Sequence, residues 1–239
     1  MSKAFMDTAM GNLFFRPMVP GGEDILIAGN CNILDSGPSL DPESEHLSCF
    51  IGGLYALGGR LFKNEAYLET GAKLARGCMY AYKSMPTGIM PERYNMVKCP
   101  STKTCRWDEN VWIAEREKRG EYKEHLPKGF TTAKDPRYLL RPEAIESVFV
   151  LWRVTGEEEF REAAWTMFEA VRDATDTPLA NAAIEDVTVA GSKQTDYMES
   201  FWMAETLKYF YLVFGDTDLI SLDDFVLNTE AHPFRLSRA

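Results

Sequence analysis

Two glutamates follow a proline in the segment RPEAIE (141–146). Proline is favoured at the first position of a helix, so we predict a helix that begins here and carries Glu143 and Glu146 on one face. Two carboxylates beside the guanidinium of Arg141 can bind sugar hydroxyls, hold a water molecule and act as a general base. The structural alternative is that acidic residues simply stabilise the positive end of the helix dipole.

An aromatic ring and a carboxylate stand one helical turn apart at Phe201 and Glu205. Residues at this spacing are neighbours on a helix, and together they offer a sugar a flat apolar face and a hydrogen-bond acceptor. Glu205 is surrounded by apolar residues, and a buried carboxylate must find a partner or take up a proton. A core phenylalanine beside a glutamate that reaches the surface would give the same pattern.

Hard oxygen ligands occur near the end of the chain, in the segment NTEAHPF (228–234). The carbonyl and hydroxyl of Thr229, with the neighbouring Glu230, are the kind of donor that calcium prefers. An ordinary turn is the simpler interpretation of this segment. His46 stands at another predicted helix start, where it is either a substrate contact or a structural residue.

If these motifs meet, their carboxylates repel one another unless a cation or a proton neutralises them. Calcium suits such a site because the motifs contain no soft ligands. The net charge of −10 argues against nucleic acid as a partner, since phosphates require a basic surface. The sequence contains no apolar run long enough to span a membrane, and its first residues do not resemble a signal peptide.

The cysteines and histidines do not form a zinc motif, because neither a CxxC pair nor an HExxH segment occurs. Free buried thiols are one interpretation of the cysteines. The chain has five of them: Cys31, Cys49, Cys78, Cys99 and Cys105.

The elements that must position these motifs are predicted to be pairs of helices. Apolar spacing predicts one pair over 46–62 and 65–83, and the same layout returns over 145–155 and 157–175. Aligning Tyr67 with Phe160 superposes the two pairs. Repeated αα-hairpins are typical of an α/α toroid or solenoid.

The other elements are less regular. Further helices are predicted over 108–120, 196–214 and 217–227, and hairpin-like pieces over 24–29 and 181–191. The segment 84–140, rich in proline and charge, is predicted to be an exposed, loop-rich insertion.

The motifs resemble, in order, the C-terminal half of the class I α-1,2-mannosidases, and the fungal members most of all. The resemblance covers the chain from about residue 40 onward. It rests on five segments: HLSCFIGG (46–53), PTGIMPE (86–92), YLLRPEAIES (138–147), DYMESFWMAETLKY (196–209) and NTEAHPF (228–234). It implies an all-α fold, with residues 1–239 forming one partial catalytic domain, about the C-terminal half of an (α/α)7 barrel.

The resemblance also implies residue roles. Glu143 matches the general base, and Thr229 matches the residue that binds Ca2+ through its carbonyl and hydroxyl. The matches to substrate-binding positions are His46, Arg141, Glu146, Phe201, Glu205 and Glu230. Cys49 and Cys78 match the family's disulfide, the spacing of Cys99 and Cys105 suggests a second one, and Cys31 is left over. Glu45 stands where many members have aspartate.

The implied activity is calcium-dependent, inverting hydrolysis of terminal α-1,2-linked mannose from high-mannose N-glycans in the endoplasmic reticulum or Golgi. An inverting glycosidase needs an acid as well as a base. In this family the acid lies in the N-terminal half, so we expect this chain to be inactive alone, with any membrane anchor or signal also upstream. The alternative is a non-catalytic module that binds high-mannose glycans in quality control.

Overall fold

The computed structural model describes residues 1–120, 123 and 125–237, and helices dominate this part of the chain. The α-helices are Ser2–Asn12 (α1), Phe50–Phe62 (α2), Glu65–Ser84 (α3), Glu109–Arg119 (α4), Glu143–Thr155 (α5), Glu158–Thr175 (α6) and Leu207–Phe214 (α7). A 3-10 turn, Leu47–Cys49, leads into α2, and a π-helical turn, Trp202–Thr206, leads into α7. Among the described residues, no helix is both long and apolar enough to cross a bilayer.

The strands are short and form small antiparallel sheets. They are Phe14–Phe15 (β1), Ile27–Ala28 (β2), Asn30–Leu34 (β3), Gly37–Asp41 (β4), Glu43–Glu45 (β5), Arg93–Met96 (β6), Phe130–Asp135 (β7), Ala183–Ile184 (β8), Gln194–Thr195 (β9), Phe225–Leu227 (β10) and Pro233–Arg235 (β11). Strands β5, β6 and β7 form one sheet in that order, and the pairs β1–β2, β3–β4, β8–β9 and β10–β11 are two-stranded.

The predicted αα-hairpins are confirmed as α2–α3 and α5–α6. Lys63, in the left-handed region at φ 52°, ends α2, and the side chain of Asn64 then caps α3 by accepting from two backbone N–H groups. Tyr67 and Phe160, equivalent in the two hairpins, are both buried. Helices α2, α5 and α7 lie side by side, with α3 and α6 packed behind them.

Close packing of α2 against α3 and α5 fixes the positions of the helix N-termini. A Cβ on Gly71 of α3 would stand 2.6 Å from the carbonyl oxygen of Gly52, so only glycine permits this contact. On the other side of α2, the Ser147 hydroxyl of α5 accepts from the Gly53 N–H at 2.7 Å and donates to the Cys49 carbonyl at 2.5 Å. The N-terminal ends of α2 and α5 are therefore held next to each other.

The expectation that 84–140 is an exposed insertion is wrong for its strands, although most of 98–120 is exposed. Tyr94 of β6 and Phe130 of β7 are fully buried, and β6 pairs with both β5 and β7. Residues 94–96 are buried in succession, so the strand lacks the alternation of polar and apolar residues that marks a half-exposed strand.

Two other predictions differ from the structure, and one helix was not predicted. The helix predicted over 196–214 begins only at 201, and the helix predicted over 217–227 is instead a series of turns followed by β10. Strand β10 pairs with β11, and local periodicity does not reveal such pairing. Helix α1 was not predicted. The hairpin-like pieces at 24–29 and 181–191 contain β2 and β8, which pair with β1 and β9.

Two disulfides are present, as predicted. Cys49 at the start of α2 is bonded to Cys78 of α3, 29 residues away, and Cys99 is bonded to Cys105, 6 residues away. Cys31 is a free thiol. The first bond joins the two helices of one αα-hairpin, and the second closes a small loop.

Removing the longer-range disulfide should cost more stability. Loop-closure entropy predicts a loss of about 3–4 kcal/mol for Cys49→Ala with Cys78→Ala, and about 2 kcal/mol for Cys99→Ala with Cys105→Ala. Urea unfolding of both double variants, followed by circular dichroism, gives the two losses. Equal losses would show that the Cys49–Cys78 bond does not constrain the unfolded chain as its span predicts.

Candidate active site

A cavity of about 450 Å³ opens at the N-terminal ends of α2 and α5. Apolar residues of α2 form one wall, and the start of α5, the π-helical turn and the β10–β11 hairpin form the others. Six of the predicted site residues line it: Glu143, Glu146, Phe201, Glu205, Thr229 and Glu230. Residues from four separate elements are therefore brought to one place, and oxygen acceptors dominate its polar groups.

Glu143 is the first residue of α5 and is buried, with 7% of its surface exposed. Its Oε2 lies 2.9 Å from Nδ1 of His46, and its Oε1 accepts from Nη1 of Arg141 at 3.3 Å. Burial is the largest influence and raises the pKa of Glu143, but the opposing influences, among them the hydrogen bond with His46 and the charge of Arg141, leave the pKa below its ordinary value. Glu143 is thus held as a carboxylate at neutral pH, as a general base requires.

His46 lies behind Glu143 and does not line the cavity. It is fully buried, and its Nε2 lies 2.7 Å from the hydroxyl of Tyr82. Both ring nitrogens therefore have partners inside the protein. This position does not support the predicted contact between His46 and substrate, because no ring atom is free to reach the cavity; it favours a role in holding Glu143.

Arg141 stands beside the cavity, where it contacts both Glu143 and Phe201. Its guanidinium carbon lies 5.8 Å from the centre of the Phe201 ring. Its Nε donates to Oε2 of Glu92 at 2.5 Å, and the backbone N–H of Leu139 donates to Oε1 of Glu92 at 3.0 Å. Glu92 is therefore a buried anchor for Arg141.

Sequence reasoning missed Glu92 as a functional residue. It ends the PTGIMPE segment, which was recognised as part of the resemblance but was given no role. A lone glutamate before a strand carries no chemical signature of its own, so only its proximity to Arg141 in the fold shows what it does.

The backbone before Arg141 adopts an unusual conformation. Leu140 is fully buried with φ at 63°, in the left-handed region that a branched side chain rarely adopts. Its carbonyl accepts from the Thr206 hydroxyl at 2.7 Å, at the end of the π-helical turn. π-Helical turns are frequent at functional sites. This one carries Phe201 and Glu205 into the cavity, and its last residue is bonded to the loop that presents Arg141.

Acidic side chains crowd together within the cavity. Burial and the charge of Glu143 raise the pKa of Glu146 to about 8, although a hydrogen bond from Tyr209 opposes them. Burial, followed by the charges of Glu143 and Glu230, also raises the pKa of Glu205. Carboxylates that repel one another in this way are stabilised by a cation.

Thr229 and Glu230 lie at the tip of the β10–β11 hairpin and face these acidic side chains. Oδ1 of Asn228 holds the tip by accepting from the N–H groups of Glu230 and His232, at 3.0 and 2.9 Å. No group of three or more His, Cys, Asp or Glu residues that could hold a metal occurs among the described residues. The donors at the tip are oxygens, and acidic side chains surround them, so they fit calcium better than a softer metal.

The sequence profile of Glycosyl hydrolase family 47 matches residues 1–236. The chain belongs to this family.

The similarity to individual proteins supports the same family membership. The chain is 36% identical over 199 residues to mannosyl-oligosaccharide α-1,2-mannosidase 1B of Emericella nidulans, covering 81% of the chain and 36% of that protein. It is 32% identical over 204 residues to mannosyl-oligosaccharide α-1,2-mannosidase IA of Spodoptera frugiperda, covering 84% of the chain and 27% of that protein.

A solved structure confirms the fold. The α-1,2-mannosidase from Trichoderma reesei superposes with a TM-score of 0.80 at 33% identity, over 97% of the chain and 45% of that protein. The predicted resemblance to class I α-1,2-mannosidases and the predicted α/α-barrel architecture are both confirmed. The chain spans less than half the length of each of these three relatives.

Glu146 gives the site a pH dependence that can be measured without substrate. Its pKa is about 8 in the folded chain and 4.5 ordinarily, so the folded state binds more protons between these values and stability falls as pH rises. With a chelator present, the stability of the wild type relative to Glu146→Gln should fall by roughly 2–4 kcal/mol between about pH 5 and pH 8.

Urea unfolding across this pH range measures the difference, with Glu162→Gln as the control because Glu162 is exposed on α6. Parallel stability curves for the wild type and Glu146→Gln would contradict the elevated pKa.

Proposed function

We propose that this chain provides the base and cation sides of an inverting α-1,2-mannosidase site that removes terminal mannose from high-mannose N-glycans. The supporting observation is the cavity that unites Glu143, Phe201, Glu205 and Thr229 at the ends of two αα-hairpins. The relatives from Emericella nidulans and Spodoptera frugiperda are both mannosyl-oligosaccharide α-1,2-mannosidases.

Glu143 acts as the general base in this proposal. One of its oxygens is engaged by buried His46, and the other faces Arg141, whose charge keeps the carboxylate ionised. A water molecule bound to this carboxylate would lose its proton as it attacks the sugar. Phe201 offers an apolar face to the sugar ring, and Glu146, Glu205 and Glu230 offer acceptors to its hydroxyls.

Inversion also requires an acid on the opposite side of the scissile bond. We assign that acid to a segment of the family's barrel outside the 239 residues of this chain. The chain would then act as part of a larger catalytic domain.

Thr229 would hold calcium through its carbonyl and hydroxyl, with Glu230 beside it. The bound cation would neutralise the surrounding carboxylates and orient sugar hydroxyls. The secretory pathway is the proposed location, because two disulfides are formed and such bonds persist in oxidising compartments.

The direct test incubates the chain with a high-mannose N-glycan and calcium, with and without a chelator. We expect calcium-dependent glycan binding by calorimetry and no released mannose. Calcium-dependent release would place the acid within this chain. If the folded chain showed neither binding nor release, the proposed function would be wrong. Binding by a chain that also stays inactive when joined to an acid-bearing segment would favour the glycan-binding module.

Glu143→Gln should separate catalysis from binding. In an active enzyme that contains this chain, we expect turnover to fall by orders of magnitude, because glutamine cannot accept the proton of water. The dissociation constant for the glycan should change little, since the side chain keeps its shape. Steady-state kinetics and calorimetry measure the two quantities, with Glu162→Gln as a surface control. Unchanged turnover would exclude Glu143 as the base.

Thr229→Ala should weaken calcium binding in this chain alone. A ligand that binds only the folded state raises its melting temperature, so the calcium-dependent rise in the wild type should shrink in Thr229→Ala. Thr217→Ala is the matched control, since Thr217 is exposed nearby and does not line the cavity. Differential scanning calorimetry with calcium and with chelator measures the rise. An equal rise in Thr229→Ala and the wild type would refute the assignment.

A further inference from the structure

A continuous line of buried polar groups runs behind the proposed base. The Tyr82 hydroxyl lies 2.7 Å from Nε2 of His46, and Nδ1 of His46 lies 2.9 Å from Oε2 of Glu143. The exposed fractions of these residues are 3%, 0% and 7%, so the hydrogen bonds are shielded from water. Neighbouring protein groups, rather than solvent, therefore determine which atoms along this line carry protons.

The donors and acceptors allow one neutral arrangement that leaves Glu143 ionised. A carboxylate can only accept, so Nδ1 of His46 must carry a proton. A neutral imidazole then has a bare Nε2, which accepts from the Tyr82 hydroxyl. Burial keeps Tyr82 protonated, because it raises the pKa of the phenol well above its ordinary value. The hydroxyl is thus available as a donor throughout the physiological range.

We propose that Tyr82 is a positioning residue that holds Nε2 of His46 and thereby keeps the Nδ1–H group of the ring directed at the Glu143 carboxylate. This inference rests on the proposed role of Glu143 as the base. Helix α3 does not contribute to the cavity wall. In this proposal it nevertheless helps to orient the general base, through Tyr82.

The disulfide supports this assignment by its location. Cys49 lies three residues after His46, and Cys78 lies four residues before Tyr82, so the bond between them lies about one helical turn from the hydrogen bond on both elements. The covalent link therefore limits sliding of α3 along the start of α2. A shift of one residue would carry the Tyr82 hydroxyl out of reach of Nε2.

Tyr138 restricts the position of the His46 imidazole ring from another side. Its ring centre lies 5.8 Å from that of His46, and the ring centre of Tyr82 lies 5.7 Å away. The Tyr138 hydroxyl donates to the Arg141 carbonyl at 3.3 Å and also contacts the Tyr82 hydroxyl, whose other partner is Nε2 of His46. The charged groups nearest this cluster are Glu143, Arg141 and Glu92.

The first test reads the tautomer in the wild-type chain. Long-range proton–nitrogen correlation spectra of a 15N-labelled sample distinguish Nδ1–H, Nε2–H and doubly protonated rings. The chain has three histidines, so His125→Gln and His232→Gln variants assign the His46 signals by elimination. We expect a neutral ring with a proton on Nδ1 at neutral pH. An Nε2–H ring or an imidazolium would overturn the proposal, because Tyr82 would then not be the donor.

The second test removes the hydroxyl. In Tyr82→Phe, we expect the Nε2–H tautomer to become populated and the proton dissociation constant of Glu143 to fall at least tenfold, a pKa rise of about one unit. The control is Tyr94→Phe, which removes another buried phenol hydroxyl outside this line and should change neither quantity. Carboxyl 13C titration measures the dissociation constant. An unchanged tautomer and dissociation constant in Tyr82→Phe would also overturn the proposal.

Both tests are performed without sugar, so they are independent of glycosidase activity. The tautomer result can stand even if glycan binding and mannose release are absent, and the proposed function can stand if the tautomer is different. If Tyr82→Phe does not fold, the wild-type spectrum still decides the proposal.

Discussion

Burying a carboxylate at the start of a helix is costly unless other groups compensate its charge, and much of this structure is organised around that cost at Glu143. His46 and Arg141 provide the compensation from opposite sides. His46 is brought there by the turn before α2, and Arg141 by the loop before α5. The hydrogen bonds of Ser147, which join the two helix starts, are therefore as necessary for the site as the charged groups.

The compensating groups need support of their own. Glu92 holds Arg141, and Glu92 is positioned because β6 lies between β5 and β7 in the central sheet. Tyr82 contacts His46 from α3, which the Cys49–Cys78 bond ties to the start of α2. A short sheet and a disulfide, neither of which lines the cavity, thus help to set the geometry of one carboxylate.

Sequence reasoning found the parts of this arrangement that have a local signature. The two αα-hairpins were predicted because apolar residues recur at helical spacing, and the cavity residues because their motifs resemble those of a known family. Glu92 and Tyr82 were missed because their roles arise from contacts between residues 36 to 49 positions apart. Strand β10 was mistaken for the end of a helix because its pairing with β11 lies outside any local window. The buried strand β6 was hidden by the prolines and charges around it.

The two sides of the site differ in how they are held. The base side is rigid, since Glu143, His46 and Glu92 are buried and each has at least one partner within the protein. The cation side lies on an exposed hairpin tip, where the Glu230 side chain is 66% exposed and the nearby His232 lies 3.6 Å away. Few buried contacts order that tip, so a bound cation would contribute more to its order than to that of the base. In the proposed site, calcium would then join the exposed hairpin tip to the buried base side, in the cavity that Glu205 and Glu146 also line.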